Sequence, residues 1–480
     1  ALGGKILPPF RHWVIDEAHS FDAEARRQWA VELQGDKISA GFEVLGSTRT
    51  GVLSSIINAS AKLEGALLLE RMLLKVASTT NRAMVASADF FATVHDLVSL
   101  AKNDGGYNAI ALWISDEVRK SDVWQEVAEA GQHCAEVLEP AIKAITETEE
   151  ALKPVDARLA SNLGESTAFL FEYYEGIRLI CSGRDDSYVY SAQLSRAKSG
   201  IGQEMLLAEK IDIGKELARN WLPDMHSVVF TSATIAVSHS FDYFATAVGL
   251  DCGKFSYQSK QLDSSFDFET NMAVIVPEDM PVPNDPTYLQ KLEDLLFDVH
   301  VSMGGSVLTL FTNRRDMECL YRKLEARLSK QGLRLTCQER STSPHRLRKQ
   351  FLADTALSLF ALKSFWEGFD ASGDTLRCVV IPRLPFASPY DPLAKERERR
   401  EEKAWWRYPL PEAVIATKQA AGRLIRSGSD KGILVLADSR VISKRYGKQF
   451  LSSLPKQQAN VLTLHEVEAF IQSWREEHDA

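Results

Sequence analysis

The 480 residues are 45% apolar and 25% charged with a net charge of −9, an ordinary globular composition that is too long for one core. No apolar run reaches the ~20 residues a membrane-spanning helix needs, and Ala1–Phe10 lacks the charged-then-apolar pattern of a signal peptide. The six cysteines (Cys134, Cys181, Cys252, Cys319, Cys337, Cys378) contain no Cys-x-x-Cys pair, so zinc or iron–sulfur ligation gets no support and buried thiols in a reducing cytoplasm are expected.

In chain order, Arg11–Ile15 reads as a short apolar strand running into Asp16-Glu17-Ala18-His19, with a helix expected from about Asp22 to Leu33 behind Ser20 as N-cap. From about Gly41 to Gly183 apolar residues recur at three and four, as in Val123, Val127, Ala130, Cys134, Val137, Leu138 and Ile142. This predicts an all-helical insertion with helices over Ala83–Lys102, Val118–Leu152 and Ala157–Ile180. Ser187–Leu194 reads as a strand, and Met225–Phe230 as a buried strand closing in Thr231-Ser232-Ala233-Thr234.

From about Asn271 strands and helices alternate. Strands are predicted over Ala273–Val276, Val307–Phe311, Leu333–Cys337, Leu357–Leu362, Cys378–Ile381 and Ile433–Leu436, and helices over Arg315–Gln331, Pro344–Ala353 and Pro411–Ile425. Near-continuous apolar strands in this alternation predict a parallel sheet covered on both faces, with ligands at the C-terminal strand ends. The mixed-charge run Lys395–Lys403 is expected to be a solvated helix face.

Four polar motifs fall at such ends. A carboxylate after a strand can hold Mg²⁺ through its water shell, and a neighbouring Glu can orient the attacking water in phosphoryl transfer. That gives Asp16 and Glu17 to metal and water, against a plain surface N-cap cluster, and leaves His19 to sense the bound state. In Gln419-x-x-Gly422-Arg423-x-x-Arg426, two arginines three apart share a helix face and can fork onto a γ-phosphate, unless they form a solvated basic helix end. In Ser364-Phe365-Trp366-Glu367-Gly368-Phe369-Asp370, the acids flanking glycine suit a cleft, while the aromatics suit the core equally well. Thr231–Thr234 can couple two sites through hydroxyls, or merely cap.

Order and spacing of these motifs resemble the DinG/XPD-type superfamily-two DNA helicases. Asp16–His19 is similar to their motif II, and Val228–Ile235 to motif III. Leu310–Asn313 matches motif IV, and Ser364–Asp370 with Gly373-Asp374 and Arg383–Phe386 matches motif V. Gln419–Arg426 with Asp430, Gly432 and Asp438-x-Arg440 matches motif VI. The resemblance implies an α/β fold of two RecA-like parallel-sheet domains, the first incomplete at its N-terminus, with an all-helical arch-type insertion between motifs II and III. The expected division is 1–40 and 186–265 for the first domain, 41–185 for the insertion, and 266–480 for the second.

The same resemblance implies ATP and Mg²⁺ as ligands and ATP-driven 5′→3′ translocation on single-stranded DNA with duplex unwinding, in repair or replication. It implies forked or single-stranded DNA as partner, no membrane, and a monomeric cytoplasmic motor. Asp16, Glu17, Arg423 and Arg426 become catalytic, with Asp16 and Glu17 at the Mg²⁺. Glu367, Gly368, Asp370, Gln419 and Gly422 become nucleotide-binding. His19, Thr231, Ser232 and Thr234 couple the nucleotide state to DNA. Thr312, Asn313, Arg314 and Arg346 contact DNA, with His345, Arg348 and Lys349 completing a basic cluster that can track phosphates or simply face solvent.

Two departures stand out. Gly-Lys occurs at Gly4-Lys5, Gly214-Lys215, Gly253-Lys254 and Gly447-Lys448, never within Gly-x-x-x-x-Gly-Lys-Ser/Thr. The four cysteines that hold a [4Fe–4S] cluster in many relatives lie upstream of motif II, so a cluster is expected only there. The chain begins on Ala1 in what reads as mid-domain, so a fragment of a longer helicase, inactive alone, is expected. The alternative is a catalytically degenerate DNA- or partner-binding regulator on the same scaffold.

Overall fold

A computed structural model describes residues 10–99, 101, 109–195, 204–253, 255–339, 342–362, 365 and 373–478. Its strands are β1 (His12–Ile15), β2 (Val31–Gln34), β3 (Ala109–Trp113), β4 (Tyr188–Ser195), β5 (Glu204–Lys210), β6 (Ser227–Phe230), β7 (Met272–Pro277), β8 (Val307–Leu310), β9 (Arg334–Cys337), β10 (Leu357–Ala361), β11 (Cys378–Ile381), β12 (Gly432–Leu436) and β13 (Asn460–Leu462). They form three sheets: β1-β6, the seven-stranded β13-β7-β12-β11-β8-β10-β9, and the four-stranded β2-β5-β4-β3.

The seven-stranded sheet is parallel throughout. Every residue of β7, β8, β11 and β12 is buried, because helices cover both faces and each face has its own core. This second lobe matches the alternation read from its sequence, with β13 and the Tyr288–Met303, Pro392–Arg400 and Leu464–His478 helices in addition.

The first lobe differs from expectation. β1 and β6 pair in parallel, His12 opposite Ser227 through Ile15 opposite Phe230. The strand expected to be buried is half exposed: Val14 is 74% and Val229 50% exposed. A two-stranded ribbon has one covered face, here packed on Ala18, Ile213, Leu217, Phe244 and Val248. The helix expected to reach Leu33 is Phe21–Trp29 and gives way to β2. Ser20 holds the N-cap position without a side-chain cap bond; its hydroxyl donates to the Glu17 carbonyl at 3.2 Å.

The insertion is dominated by the Ala66–Ser99, Asp122–Leu152 and Ala157–Ser182 helices, around one large apolar core. Local chemistry fixes their ends. The Ser121 hydroxyl accepts from the Trp124 amide. The Asp156 carboxylate accepts from the Arg158 and Leu159 amides. Gly183 closes the third helix in left-handed conformation, φ 55°. The region is not all-helical: β3 lies inside it, and the helices stand on the antiparallel sheet β2-β5-β4-β3. The run expected to be a solvated helix face is also corrected. The Pro392–Arg400 helix buries Glu396 and Arg397, because both find charged or polar partners against that sheet.

His300, on the Tyr288–Met303 helix, is fully inside the second lobe. Its Nδ1 lies 2.6 Å from the Leu296 carbonyl and Nε2 has no partner among the described residues. Burial pushes its pKa down to about 4, against about 6.5 unfolded. The unfolded chain therefore takes up a proton first, so this contribution is complete above pH 6.5 and is lost as pH falls towards 4. His300→Leu is expected to remove an acid-side loss on the order of 3 kcal/mol, read by urea unfolding at pH 7 and 4.5. Parallel pH profiles for the two proteins would contradict this.

Candidate nucleotide and nucleic-acid site

Two segments 215 residues apart meet at the ends of β1 and β6. The Thr231 amide donates to the Ile15 carbonyl at 2.8 Å and the Ala18 amide to the Thr231 carbonyl at 2.9 Å, continuing the strand ladder past its end. The Thr231 hydroxyl donates to Asp16 Oδ1 at 2.7 Å. That hydroxyl, then the Glu17 amide, hold the Asp16 carboxyl below the usual carboxylate range. Asp16 is itself exposed.

Glu17 is exposed and left-handed, φ 49° and ψ 40°, a conformation that costs a non-glycine residue on the order of 1 kcal/mol. His19 Nδ1 sits 3.3 Å from Glu17 Oε2 and 3.1 Å from the Ser232 hydroxyl. Ser232 Oγ accepts from the Thr234 amide at 3.2 Å, and Thr234 is buried. The structure therefore brings together Asp16, Glu17, His19, Thr231, Ser232 and Thr234. Among the described residues no three His, Cys, Asp or Glu side chains form a metal cage. The Asp16–Glu17 pair fits instead a hydrated Mg²⁺ held by one or two carboxylates and by ligand phosphates.

The Gln419–Arg426 segment departs from its predicted geometry. The Pro409–Ala421 helix ends before Gly422, and the Arg423 and Leu424 amides bond three residues back, to Ala420 and Ala421. Arg423 and Arg426 thus lie on the turn after the helix and not on one helical face. Asp430 sets that turn. Its Oδ2 accepts from the Arg426 and Ser427 amides at 2.8 and 2.9 Å, and its Oδ1 from the Ser427 hydroxyl at 2.7 Å and the Gly373 amide at 3.3 Å. Burial pushes the Asp430 pKa up, but the Ser427 hydroxyl and these amides outweigh it and hold the carboxyl below its ordinary range. Asp430→Ala is expected to lower stability by roughly 1.5–3 kcal/mol and to speed amide exchange at Arg426 and Ser427. Unchanged exchange there would rule out this role.

A cavity of about 450 Å³ separates the lobes, walled by Ala233 and Thr234 on one side and by Lys418, Gly422 and Arg426 on the other. Asp16 and Glu17 do not line it. Gln419 is buried and its Nε2 meets no partner among the described residues. Sequence reasoning missed Lys418, whose Nζ lies 3.4 Å from the Ala236 carbonyl and whose pKa burial lowers. Its four-residue spacing from Gly422 was the available signal.

The proposed DNA contacts separate. Asn313 caps the Arg314–Ser329 helix, its side chain accepting from the Asp316 amide at 2.8 Å and donating to Asp316 Oδ2 at 2.7 Å. Arg314 is 8% exposed and donates to the Gln338 carbonyl at 2.7 Å. In this conformation both side chains are engaged within the second lobe. Thr312 is half-buried beside them, while His345, Arg346 and Lys349 are exposed on the Pro344–Leu352 helix. Phe365 is fully buried, with the Arg348 guanidinium 5.3 Å from its ring centre. Trp366, Glu367, Gly368 and Asp370 lie outside the described residues.

A family profile described as "Helicase C-terminal domain" matches residues 296–457. The "3'-5' exonuclease DinG" of Bacillus subtilis is 26% identical over 492 aligned positions, covering 98% of this chain and 52% of that protein. The "ATP-dependent DNA helicase YoaA" of Escherichia coli is 35% identical over 233 positions, 48% of this chain and 35% of that protein. The "ATP-dependent helicase DinG" of Mycobacterium tuberculosis is 33% identical over 239 positions, 48% and 34%. A solved structure titled "XPD_Helicase" aligns with a TM-score of 0.51 at 15% identity, over 94% of this chain and 68% of that one.

Two lobes with parallel sheets, a helical insertion between the Asp-Glu-Ala-His and Thr-Ser-Ala-Thr segments, and this structural likeness define a RecA-like helicase fold. The chain spans about half the length of the first of these relatives and about a third of the other two. Over these spans it is similar to proteins of the DinG and YoaA names.

Proposed function

We propose that this chain is the motor portion of an ATP-dependent DNA helicase that couples ATP hydrolysis to translocation on single-stranded DNA and unwinding of forked duplexes. The observation that carries this reading is the junction of Asp16 with Thr231 and of His19 with Ser232. It ties a metal- and water-handling carboxylate pair to the strand end facing the second lobe. When bound, Mg²⁺ supplies charge for the ligand phosphates beside Asp16. Glu17, exposed and held in the left-handed turn, orients the water and takes its proton.

Arg423 and Arg426 stabilise the phosphoryl charge from the second lobe. Gln419, Gly422 and, from outside the described residues, Glu367, Gly368 and Asp370 complete the nucleotide contacts. The buried, unsatisfied Gln419 amide is a donor in search of an acceptor, which a ligand or lobe closure supplies. His19, Thr231, Ser232 and Thr234 relay the nucleotide state. Arg346, with His345 and Lys349, is the exposed basic track for phosphates. No helix among the described residues is long and apolar enough to cross a membrane. We place the protein in the cytoplasm as a monomeric motor.

The 480 residues hold no Gly-x-x-x-x-Gly-Lys-Ser/Thr, so the chain alone is proposed to turn over little or no ATP. The test is ATP hydrolysis and fork unwinding by the full-length protein, with the 480-residue chain beside it. DNA-stimulated hydrolysis with unwinding by the former supports the reading. DNA binding without hydrolysis would favour a degenerate regulator, and hydrolysis without unwinding a remodelling ATPase.

A further inference from the structure

The Pro392–Arg400 helix belongs by sequence to the second lobe, between β11 and the Pro409–Ala421 helix, yet it packs on β3 and β4 at the base of the insertion. Glu396, 5% exposed, is the centre of the contact. It accepts from the Trp113 indole Nε1 at 3.1 Å and from Arg399 and Arg400 at 2.6 Å each. Both arginines then reach the insertion: Arg400 donates to the Asp186 carbonyl at 2.6 Å, and Arg399 lies 3.6 Å from Asp116 Oδ2.

The next residue along the helix, Arg397, 8% exposed, lies over the Tyr408 ring at 3.9 Å. It donates to the Ile211 carbonyl at 3.4 Å. That same carbonyl accepts from Arg26 of the first lobe at 3.2 Å, and Arg26 also donates to the Lys210 carbonyl at 2.5 Å. A single backbone oxygen at the end of β5 thus joins the two lobes and the insertion base. Beside it the seam is loosely filled by a cavity of about 320 Å³, lined by Asp22, Arg26, Tyr243, Arg397 and Tyr408.

We propose that the Pro392–Arg400 helix is a latch that makes the insertion ride with the second lobe. Buried charges change partners in discrete steps and do not slide, because a half-broken pair leaves an uncompensated charge. The insertion base is already continuous with the first lobe at both ends, through Trp29–Val31 and Lys210–Ile213. Any change in the angle between the lobes must therefore either carry the base sheet along or release Glu396 and Arg397 together. The cavity beside Arg397 gives the seam room to move.

Hydrogen–deuterium exchange on the whole 480-residue chain tests this. Glu396→Ala is expected to speed exchange about tenfold in β3 and β4. It is also expected to speed exchange in the Phe21–Trp29 helix, which Glu396 does not touch. Arg26→Met is expected to do the reverse, loosening β3 and the Pro392–Arg400 helix from the far side. Should Glu396→Ala prevent folding, Trp113→Phe, which deletes the indole donor and part of the ring but leaves Glu396 and both arginines in place, is read in the same way with a smaller shift. Increases confined to β3, β4 and the helix itself, or no increase, would overturn the latch and leave a simple local contact.

Discussion

Asp438→Asn is expected to lower the unfolding free energy by roughly 3–5 kcal/mol, the cost of breaking a buried ion pair on one side. Asp438 is completely buried and all four of its acceptor positions described here are taken. Oδ1 accepts from the Arg440 amide at 3.1 Å and Nε at 2.8 Å. Oδ2 accepts from an Arg440 terminal nitrogen at 2.6 Å and the Leu384 amide at 2.9 Å. Asparagine presents an NH₂ where two donors already point, so one side of this fork becomes donor against donor. Arg440, 23% exposed, then keeps a charge with no counterpart.

The damage would spread. The Leu384 bond fixes the exit from β11, where Phe386 packs with Trp405, Tyr446 and Phe450. Urea unfolding of the two proteins measures the loss, and the double variant Asp438→Leu with Arg440→Met should recover most of it by removing both charges. A single variant within 1 kcal/mol of the parent would show that the pair contributes little beyond packing.

The second lobe was legible in sequence because its strands are buried on both sides and read as unbroken apolar runs, as in Met272–Pro277 and Gly432–Leu436. Of the four-stranded sheet only β4 was legible, as the strand read over Ser187–Leu194. β2 is Val-Glu-Leu-Gln and β5 Glu-Met-Leu-Leu-Ala-Glu-Lys, patterns that serve a helix equally well, and only pairing between strands 170 residues apart selects extended backbone. Glu396 and Arg397 looked solvated because a mixed-charge helix carries no sign of a partner far away in sequence. At the candidate site, Asp16, Glu17, His19 and Thr231–Thr234 were legible from their place at strand ends. The exit of Arg423 and Arg426 from the helix was not, since the capture of two amides by Asp430 is a tertiary event. The burial of Arg314 was not legible either: a cation beside a helix start gives no sign of the Gln338 carbonyl that draws this one inward.

In the full-length protein, Glu17→Gln is expected to reduce the ATP hydrolysis rate by about 10²–10⁴-fold, the range for loss of a general base, with nucleotide and DNA affinity nearly unchanged. The amide keeps the size and the hydrogen-bonding reach of Glu17 but takes no proton. It also does not disturb the ladder, which runs through the Ala18 amide and Thr231. Thr231→Val separates the second role. It leaves Glu17 intact but deletes the hydroxyl on Asp16 Oδ1, so the Asp16 pKa should rise towards the ordinary carboxylate value. Hydrolysis should fall less, and unwinding per ATP hydrolysed should fall more, because the carboxylate loses its tie to the strand end that faces the second lobe. Steady-state kinetics with a parallel unwinding assay resolves the two. Wild-type hydrolysis in Glu17→Gln would remove Glu17 from the chemistry. Equal losses of hydrolysis and unwinding in Thr231→Val would reduce Thr231 to a support for Asp16 with no part in coupling.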